Sequence, residues 1–425
     1  MGTKRQAPAN RQLDAFSAPS VPAFSRRTFV ERAGAAVLST AFPPFTAEAF
    51  SSPKRTVPDP SFDPYVEIHP DHLRHNVAEI QRRVDSRPIL AVVKNNGYGL
   101  GAANVARILD PLAAVHGFAV VKLHEAVLLR DAGIRKPILL MGSCSEKDLV
   151  DALARGIIPT VFRSPGGEWD HLAAKLQRTI PVHVCVDTGF GREGLPYLEA
   201  PELIRSLARQ KAVEFRGVMM TFTEDAELDP EELKRFVELC ESLRGAGIRL
   251  GRRHAASSYP LFQHPDSFLD MVRPGMALYG IYSEPEFRSR GAMDLRPALR
   301  FNSRVIQVKQ FRKGDSAGYS PAYQAGWDTS MALVPVGHAD GWPRSAAKGA
   351  RVRIQDSLYS VVAVSASHTI IEIGPEPRVK IGDVVTLFDW KEGSRPEDIA
   401  AACGASVYDQ LMHLSALLPR KVLGE

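Results

Sequence analysis

Short apolar runs alternate with longer amphipathic stretches from about Pro64 onward. Eight of these runs have the length and composition of buried strands: residues 89–93, 117–121, 137–141, 157–162, 182–187, 215–222, 253–257 and 271–273. Between most of them the spacing is helical, as in residues 125–132, 147–155, 202–209 and 231–243. Eight strands alternating with helices over about 220 residues predict an α/β fold, a (β/α)8 barrel of the TIM type. A doubly wound sheet has the same periodicity and stays open as an alternative.

After Gly280 the pattern becomes β-rich and loses its helical spacing. Strand-like runs cover residues 298–311, 331–336, 352–354, 359–364, 369–373 and 384–388. They predict a separate, mostly β C-terminal domain without helices between its strands, closed by a short helix near residues 407–418. We therefore assign residues 63–297 to the barrel and residues 298–425 to the β domain, after a linker over residues 50–62.

The first 49 residues have the composition of a targeting segment. Paired arginines, Arg26 and Arg27, precede a short apolar run over residues 33–42, and Ala47-Glu48-Ala49 follows. This order resembles a twin-arginine export signal, which predicts a protein exported in the folded state to the periplasm or beyond. The alternative is a disordered basic tail. The apolar run is about half of the ~20 residues that span a bilayer, so no stable membrane anchor is expected.

Composition narrows the functional classes. The chain has 425 residues, 44% hydrophobic and 24% charged, as in globular proteins large enough for two domains. Of the formal net charge of +5, residues 1–49 carry +3, so the remainder is too close to neutral to favour nucleic-acid binding. The four cysteines lack CxxC or zinc-ligand spacing, and the sequence predicts neither a disulfide scaffold nor a metal site.

Lys94 ends an apolar strand and therefore belongs to the carboxyl rim of the predicted barrel, where active sites of this fold lie. A partly desolvated amine has a lowered pKa, as Schiff-base chemistry requires. Gly97, Gly99 and Gly101 then allow the backbone to turn tightly beneath a ligand. Without further motifs, such a lysine is more often an exposed charge.

Residues 91–101 (AVVKNNGYGLG) resemble the pyridoxal phosphate signature of the alanine racemase family. Further segments resemble that family in its order: 187–194 (DTGFGREG), 254–258 (HAASS), 272–280 (VRPGMALYG), 317–323 (AGYSPAY), 335–344 (PVGHADGWPR) and 406–409 (SVYD). The resemblance covers roughly residues 62–422. It implies an isomerase that uses pyridoxal 5'-phosphate to interconvert L- and D-amino acids, with alanine as the default substrate, in the service of cell-wall synthesis.

The resemblance also implies a two-base mechanism. Lys94 would hold the cofactor and act as the base on one face of the substrate Cα, and Tyr319 would act on the opposite face. Racemisation needs two such groups, one for each position of the hydrogen. In the family the tyrosine comes from the partner subunit of a head-to-tail homodimer.

Other positions take roles from the family in the same way. Arg273 would donate to the pyridine nitrogen; a guanidinium keeps its proton, so the ring would be a weaker electron sink than decarboxylation favours. Arg192 would face the cofactor phenolic oxygen and the substrate carboxylate. The phosphate would be bound by Tyr98, Ser258, Tyr408 and the backbone amides of Gly275 and Met276.

Several positions depart from the family pattern. Cys185 replaces a lysine, often carbamylated, that orients Arg192, and Thr221 replaces a histidine beside Arg273. His338 replaces a tyrosine. Ala366, followed by Ser367, replaces a methionine; its backbone N–H still suits the substrate carboxylate, but its side chain leaves a wider pocket. Two alternatives follow: a broad-specificity amino-acid racemase, or a pyridoxal phosphate-binding homologue with reduced or no turnover.

Overall fold

The computed structural model describes residues 62–143, 145–162, 168–320 and 322–424. The predicted export signal (1–49), all but the last residue of the predicted linker (50–62) and Cys144 lie outside these residues. Within these ranges no helix is both long enough and apolar enough to cross a membrane.

A first strand, β1 (Tyr65–Ile68), and a helix over Pro70–Arg83 lead into a parallel barrel. Its strands, in order of pairing, are β2 (Ile89–Val92), β3 (Val115–Val120), β4 (Ile138–Leu140), β5 (Ile157–Val161), β6 (Ile180–Asp187), β8 (Val213–Met219) and β9 (Arg252–His254), with β7 (Leu195–Pro196) paired to β6. The helices that follow these strands are Ala102–Leu109, Leu123–Asp131, Glu146–Ala154, Glu168–Leu176, Ala200–Ala208, Asp229–Gly245 and Pro260–Gln263. The predicted alternation of strands and helices is confirmed.

The barrel is closed by the segment around Val272, predicted as the eighth strand. Val272 forms a single parallel bridge with Ile89, and its carbonyl accepts a hydrogen bond from Leu90 N at 2.9 Å. On its other side Arg273 N donates to Ala256 O at 2.8 Å. Pro274 follows and has no N–H to extend the ladder, so the segment is a bridge and not a full strand. Closure excludes the doubly wound alternative.

The C-terminal domain is built on a nine-stranded sheet with the order β11-β14-β17-β16-β15-β18-β10-β1-β19. Its strands are β10 (Leu299–Arg304), β11 (Gln307–Phe311), β14 (Thr329–Val334), β15 (Arg351–Ile354), β16 (Ser357–Val364), β17 (Thr369–Gly374), β18 (Val384–Phe388) and β19 (Arg420–Val422); β12 (Ser316–Ala317) and β13 (Tyr323–Gln324) form a separate hairpin. β1 pairs with β10 and β19, so it belongs to this sheet although it precedes the barrel in sequence. The predicted domain boundary at residue 63 instead assigned β1 to the barrel.

Helical segments interrupt the β domain, contrary to the prediction. A helix over Pro396–Cys403 precedes the closing helix, which covers Val407–Met412 and is shorter than predicted. Ile399, Ala400 and Cys403 are buried on it at helical spacing, a pattern too short to stand out in the sequence. The β domain also has the short segments His338–Asp340 and Arg344–Lys348; the barrel has Lys94–Tyr98, Pro265–Phe268, Met276–Tyr279 and Pro285–Ser289.

One hydrophobic core is shared by the two domains. Phe118 and Tyr279 of the barrel belong to the same buried cluster as Val352 and Phe388 of the β domain. Since both domains bury apolar side chains in it, this core fixes the closing helix of the β domain against the carboxyl rim of the barrel.

Candidate active site

Lys94 lies at the carboxyl rim of the barrel, two residues beyond the end of β2. Burial lowers the pKa of its amine, and the guanidinium groups of Arg192 and Arg273 lower it further. This shift favours the neutral amine, the nucleophilic form. The structure therefore brings together at one rim three of the residues predicted to form the site.

The backbone after Lys94 makes an unusual left-handed turn. Residues 95–99 all have positive φ, between 51° and 88°. Asn and Gly tolerate this conformation, but Tyr98 (φ 51°) is a bulky residue for which it is rare and strained. The surrounding structure must therefore hold the turn in place.

Two long-range contacts fix this turn. The buried carboxylate of Glu125 accepts hydrogen bonds from Asn96 N and Lys122 N, each at 3.2 Å. The guanidinium of Arg420 donates to Gly99 O at 2.8 Å and 3.0 Å through two of its nitrogens. The turn thus joins the barrel to the last strand of the β domain.

Arg273 is buried, and all of its hydrogen-bond partners among the described residues are neutral. Its Nη1 lies 2.9 Å from His254 Nδ1, and its Nη2 donates to Met220 O at 2.8 Å and to Thr221 Oγ1 at 3.3 Å. Burial lowers the pKa of Arg273 to about 10, which still leaves it charged near neutrality. Thr221, which stands where the family has a histidine, supplies one of these acceptors.

A chain of two histidines continues from Arg273 into the barrel. His254 Nε2 lies 2.9 Å from His183 Nδ1, and both side chains are buried. Burial lowers the pKa of His183 to about 3 and that of His254 well below its ordinary value, so both rings are neutral. Arg273 has donors only; His254 must accept at Nδ1 and donate from Nε2 to His183.

Ser258 and Gly275 form a cradle suited to an anion. Ser258 Oγ accepts hydrogen bonds from Gly275 N at 3.0 Å and from Ala277 N at 3.1 Å, which leaves its own O–H free to donate. A Cβ at position 275 would lie 2.3 Å from Tyr98 Oη, so only glycine permits this approach. Met276, the other predicted amide donor, begins the helical turn Met276–Tyr279.

Two tyrosines predicted to bind phosphate lie near this cradle. Burial raises the pKa of both Tyr98 and Tyr408, so each keeps its phenolic proton as a donor. The ring of Tyr98 packs on Tyr279 with 4.7 Å between centroids. Tyr408 comes from the helix Val407–Met412 of the β domain, which reaches the left-handed turn where Asn95 Nδ2 contacts Met412 Sδ at 3.2 Å.

Arg192 is exposed beside this site, with its guanidinium 4.3 Å from the centre of the Phe190 ring. Burial raises the pKa of Cys185 to about 12, and its thiol donates to Glu193 O at 3.4 Å. A protonated thiol cannot replace a negatively charged carbamate. No ion pair with a residue in the described ranges holds Arg192.

Tyr319 and Ala366 lie apart from Lys94 in this chain. Tyr319 is 76% exposed, in the hairpin of β12 and β13, and lines a cavity of about 400 Å³ together with Ser365 and His368. Ala366 lies in the exposed loop between β16 and β17, where its carbonyl accepts from Ala339 N at 3.0 Å. No contact between described residues joins Tyr319 to Lys94.

Sequence reasoning missed three side chains of this region. Glu125 had a usable signal, because a glutamate three residues after the residue that begins a helix often reaches back to the backbone. His183 had none, since it lies inside an ordinary strand pattern. Glu224 also had none; its pKa is raised by burial, and its carboxylate accepts a hydrogen bond from Ser257 Oγ at 3.3 Å.

Comparison with known proteins agrees with these motifs. The family described as "Alanine racemase, N-terminal domain" matches residues 68–283, and "Alanine racemase, C-terminal domain" matches residues 298–422. The alanine racemase of Desulforamulus reducens is 34% identical over 370 residues, which covers 85% of this chain and 99% of that protein. That of Sorangium cellulosum is 32% identical, over 83% of this chain and 97% of that protein.

Solved structures show the same likeness. Alanine racemase from the D-cycloserine producer Streptomyces lavendulae has a TM-score of 0.79 at 28% identity, covering 86% of this chain and 98% of that one. Alanine racemase from Clostridium difficile 630 has a TM-score of 0.77 at 28% identity, over 84% and 94%. With both domains, the order of the motifs and the rim geometry in agreement, the chain belongs to the alanine racemase family.

Proposed function

We propose that this protein is a pyridoxal phosphate-dependent racemase that interconverts L- and D-alanine. The observation that carries the proposal is the pairing at one rim of a desolvated amine, Lys94, with a buried guanidinium, Arg273. Two relatives named alanine racemase match this chain over almost their whole length, which supports the same reaction.

The rim fits the cofactor. Ser258 and the glycine cradle at position 275 offer a free hydroxyl and close backbone approach to a phosphate, and Tyr98 and Tyr408 add neutral donors. Arg273 would hold the ring nitrogen and Lys94 the aldehyde carbon. When bound, pyridoxal phosphate supplies the electron withdrawal that acidifies the Cα–H bond of an amino acid.

Arg273 favours racemisation over decarboxylation. With a pKa of about 10, its guanidinium keeps its proton near neutral pH, so it would donate to the ring nitrogen without protonating it. An unprotonated ring nitrogen would withdraw electrons only weakly, and a proton would then be returned to Cα quickly. A carboxylate in place of Arg273 would keep the ring nitrogen protonated and would favour decarboxylation.

Two bases would move the Cα proton. The Lys94 amine would remove or return it on one face, and a Tyr319 hydroxyl would do so on the other. Because Tyr319 is 76% exposed and apart from Lys94 of its own chain, we propose that it acts on the site of a second copy in a head-to-tail homodimer. Each copy would then complete the other's site.

A broader substrate range is the second candidate. Ala366 has a small, exposed side chain where the family has methionine, and the Tyr319 cavity of about 400 Å³ lies beside its loop. Both features favour amino acids with side chains longer than that of alanine.

The proposal extends to location. The pair Arg26-Arg27 ahead of an apolar run supports export of the folded protein by the twin-arginine route. Replacing both arginines with lysine should retain the protein in the cytoplasm, as cell fractionation would measure; unchanged export would contradict this part.

The test combines absorption and chiral analysis. Purified protein with pyridoxal phosphate should show a bound-cofactor band in the visible range and should convert L-alanine to an equal mixture of enantiomers, measured by chiral chromatography. A bound-cofactor band with release of CO₂ would indicate a decarboxylase. A band without any change in alanine, serine, lysine or arginine would indicate a binding homologue without turnover.

A further inference from the structure

Besides the cavity lined by Tyr319, the protein has a cavity of about 950 Å³ at the end of the barrel opposite Lys94. Residues from the amino-terminal ends of the strands line it, including His116 of β3, Phe215 of β8 and Arg252 of β9. Its floor is apolar, with Leu90 and Leu139 among its members. The interior of a TIM barrel is ordinarily packed with side chains and its active site lies at the other end, so an open cavity lined by charged side chains is unusual here.

The wall of this cavity carries a large excess of positive charge. Its lining includes six arginines and one carboxylate, Glu214: the arginines are Arg130, Arg135, Arg155, Arg178, Arg216 and Arg252. Glu214 pairs with Arg216 at 3.0 Å, and Arg155 pairs with Asp131 and Asp151 outside the lining, each at 3.1 Å. The other four arginines form no ion pair with any residue in the part of the chain that the structure describes.

Arg130 is fixed by backbone carbonyl groups. Its Nη1 donates to Ile134 O at 2.7 Å and Lys136 O at 2.9 Å, its Nη2 to Gly156 O at 2.9 Å and its Nε to Arg155 O at 3.0 Å, which leaves one N–H free. These bonds hold the guanidinium in place without neutralising it, and burial lowers its pKa. A charge already fixed in position binds an anion without the entropic cost of ordering a long side chain.

Arg252 is positioned by a neutral partner. Its Nη1 lies 2.7 Å from His116 Nε2, and His116 has a pKa lowered by burial and by the Arg252 charge. Because the imidazole accepts from one guanidinium nitrogen without supplying negative charge, Arg252 retains its full charge beside the cavity.

We propose that this cavity binds a small compound carrying a chain of two or more phosphate groups. Several guanidinium groups around one space match the many oxygens of such a chain: Arg135 and Arg252 have N–H groups free to donate to them, and Arg130 adds a fixed positive charge. The volume is at the upper end of that of small-molecule sites, so the cavity has room for an organic group on the apolar floor as well. Free pyrophosphate and a nucleoside diphosphate share this chemistry, and the experiment separates them.

The test is calorimetric titration of the full-length protein, saturated with pyridoxal phosphate, with inorganic pyrophosphate and with ADP. We expect one bound probe per chain, with an affinity that falls as salt rises. Arg252→Gln and Arg135→Gln should each weaken binding by about tenfold, because each removes charge-assisted hydrogen bonds. Arg135 is exposed and has no hydrogen bond in the described structure, so this variant should leave folding intact, as thermal unfolding without the probe would verify.

Two control variants make the result specific. Arg107→Gln removes the same charge from an exposed helix position and should leave the affinity unchanged. Ser258→Ala alters the cradle at the other end of the barrel and should also leave the affinity for the probes unchanged. This control separates the arginine-lined cavity from the proposed cofactor site, whether or not the racemase assignment holds. ADP binding more tightly than pyrophosphate would support a nucleotide, and equal affinities would support the phosphate chain alone. Failure of both probes to bind at millimolar concentration, or equal losses in Arg107→Gln, would overturn the proposal.

Discussion

Arg273 Nη1 donates a hydrogen bond to His254 Nδ1 at 2.9 Å, and His254 Nε2 donates in turn to His183 Nδ1 at 2.9 Å. Within the described residues, every hydrogen-bond acceptor of this guanidinium is uncharged. Its positive charge is therefore not neutralised, and it lowers the pKa of Lys94.

The first prediction replaces that charge. Arg273→Glu should lower kcat/KM for alanine by at least ~100-fold, because a preorganised charge at a reacting ring contributes on this scale. Steady-state kinetics in both directions would measure it. Thr221→Val, which removes one acceptor at 3.3 Å and keeps the guanidinium, is the matched control and should lose far less. An Arg273→Glu enzyme of nearly normal activity would contradict the assigned role.

The second prediction separates the two bases. Lys94→Ala should abolish the visible band of bound cofactor together with turnover. Tyr319→Phe should keep the band and lower turnover by ~100- to 10,000-fold, unevenly between the two enantiomers, since it removes the base on one face only. Tyr323→Phe removes a phenol from the same hairpin and should retain activity. Equal losses in Tyr319→Phe and Tyr323→Phe would indicate damage to the hairpin.

The third prediction tests the origin of Tyr319. Mixing Lys94→Ala with Tyr319→Phe subunits, after dissociation and reassociation, should restore about a quarter of the wild-type activity, because half the dimers are mixed and each mixed dimer has one intact site. Activity would be followed against the extent of subunit exchange. If Tyr319 served its own chain, the mixture would show only the residual activity of its components.

The fourth prediction concerns the cradle. Gly275→Ala should weaken pyridoxal phosphate binding by at least ~10-fold, since the added Cβ would lie 2.3 Å from Tyr98 Oη, whereas its φ of −114° is open to any residue. Fluorescence titration with the cofactor would measure this. Gly245→Ala, at a position where a Cβ meets nothing within 4 Å, should bind normally. An unchanged dissociation constant in Gly275→Ala would argue against phosphate binding here.

The fifth prediction is the dependence of stability on pH. The pKa of His183 is about 3 in the folded protein and that of His254 is also well below normal, so the unfolded chain binds more protons below its ordinary histidine pKa of about 6.5. The free energy of unfolding should therefore have its full value above that pH and should fall as the pH drops below it. His183 should contribute about 1.4 kcal/mol per pH unit between pH 6 and 4, and His254 should add to the fall. Urea unfolding would measure the slope.

The matched control for this slope is a histidine at the surface. His183→Asn should reduce the slope, whereas His171→Gln, at an exposed helix position, should leave it unchanged. Equal slopes in both variants would show that other groups dominate the acid sensitivity.

Much of the barrel followed from the sequence because its strands are apolar and regularly spaced, and the rim position of Lys94 followed from them. β1 could not be predicted as part of the β-domain sheet, because its partners Leu299–Arg304 and Arg420–Val422 are more than 200 residues away. The glycines after Lys94 indicated a turn, but not that Tyr98 itself has a positive φ of 51°. That conformation depends on Glu125 and Arg420, which are distant in sequence.

The histidine chain has a consequence for residues that never approach a substrate. A Cβ at Gly217 would lie 2.6 Å from the Cε1 atom of His183. Even Gly217→Ala would therefore displace the His183 ring, which contacts Arg273 through His254. Tightly packed interiors transmit such displacements instead of absorbing them. The position of Arg273 at the carboxyl rim therefore depends on the absence of a side chain at Gly217, inside the barrel.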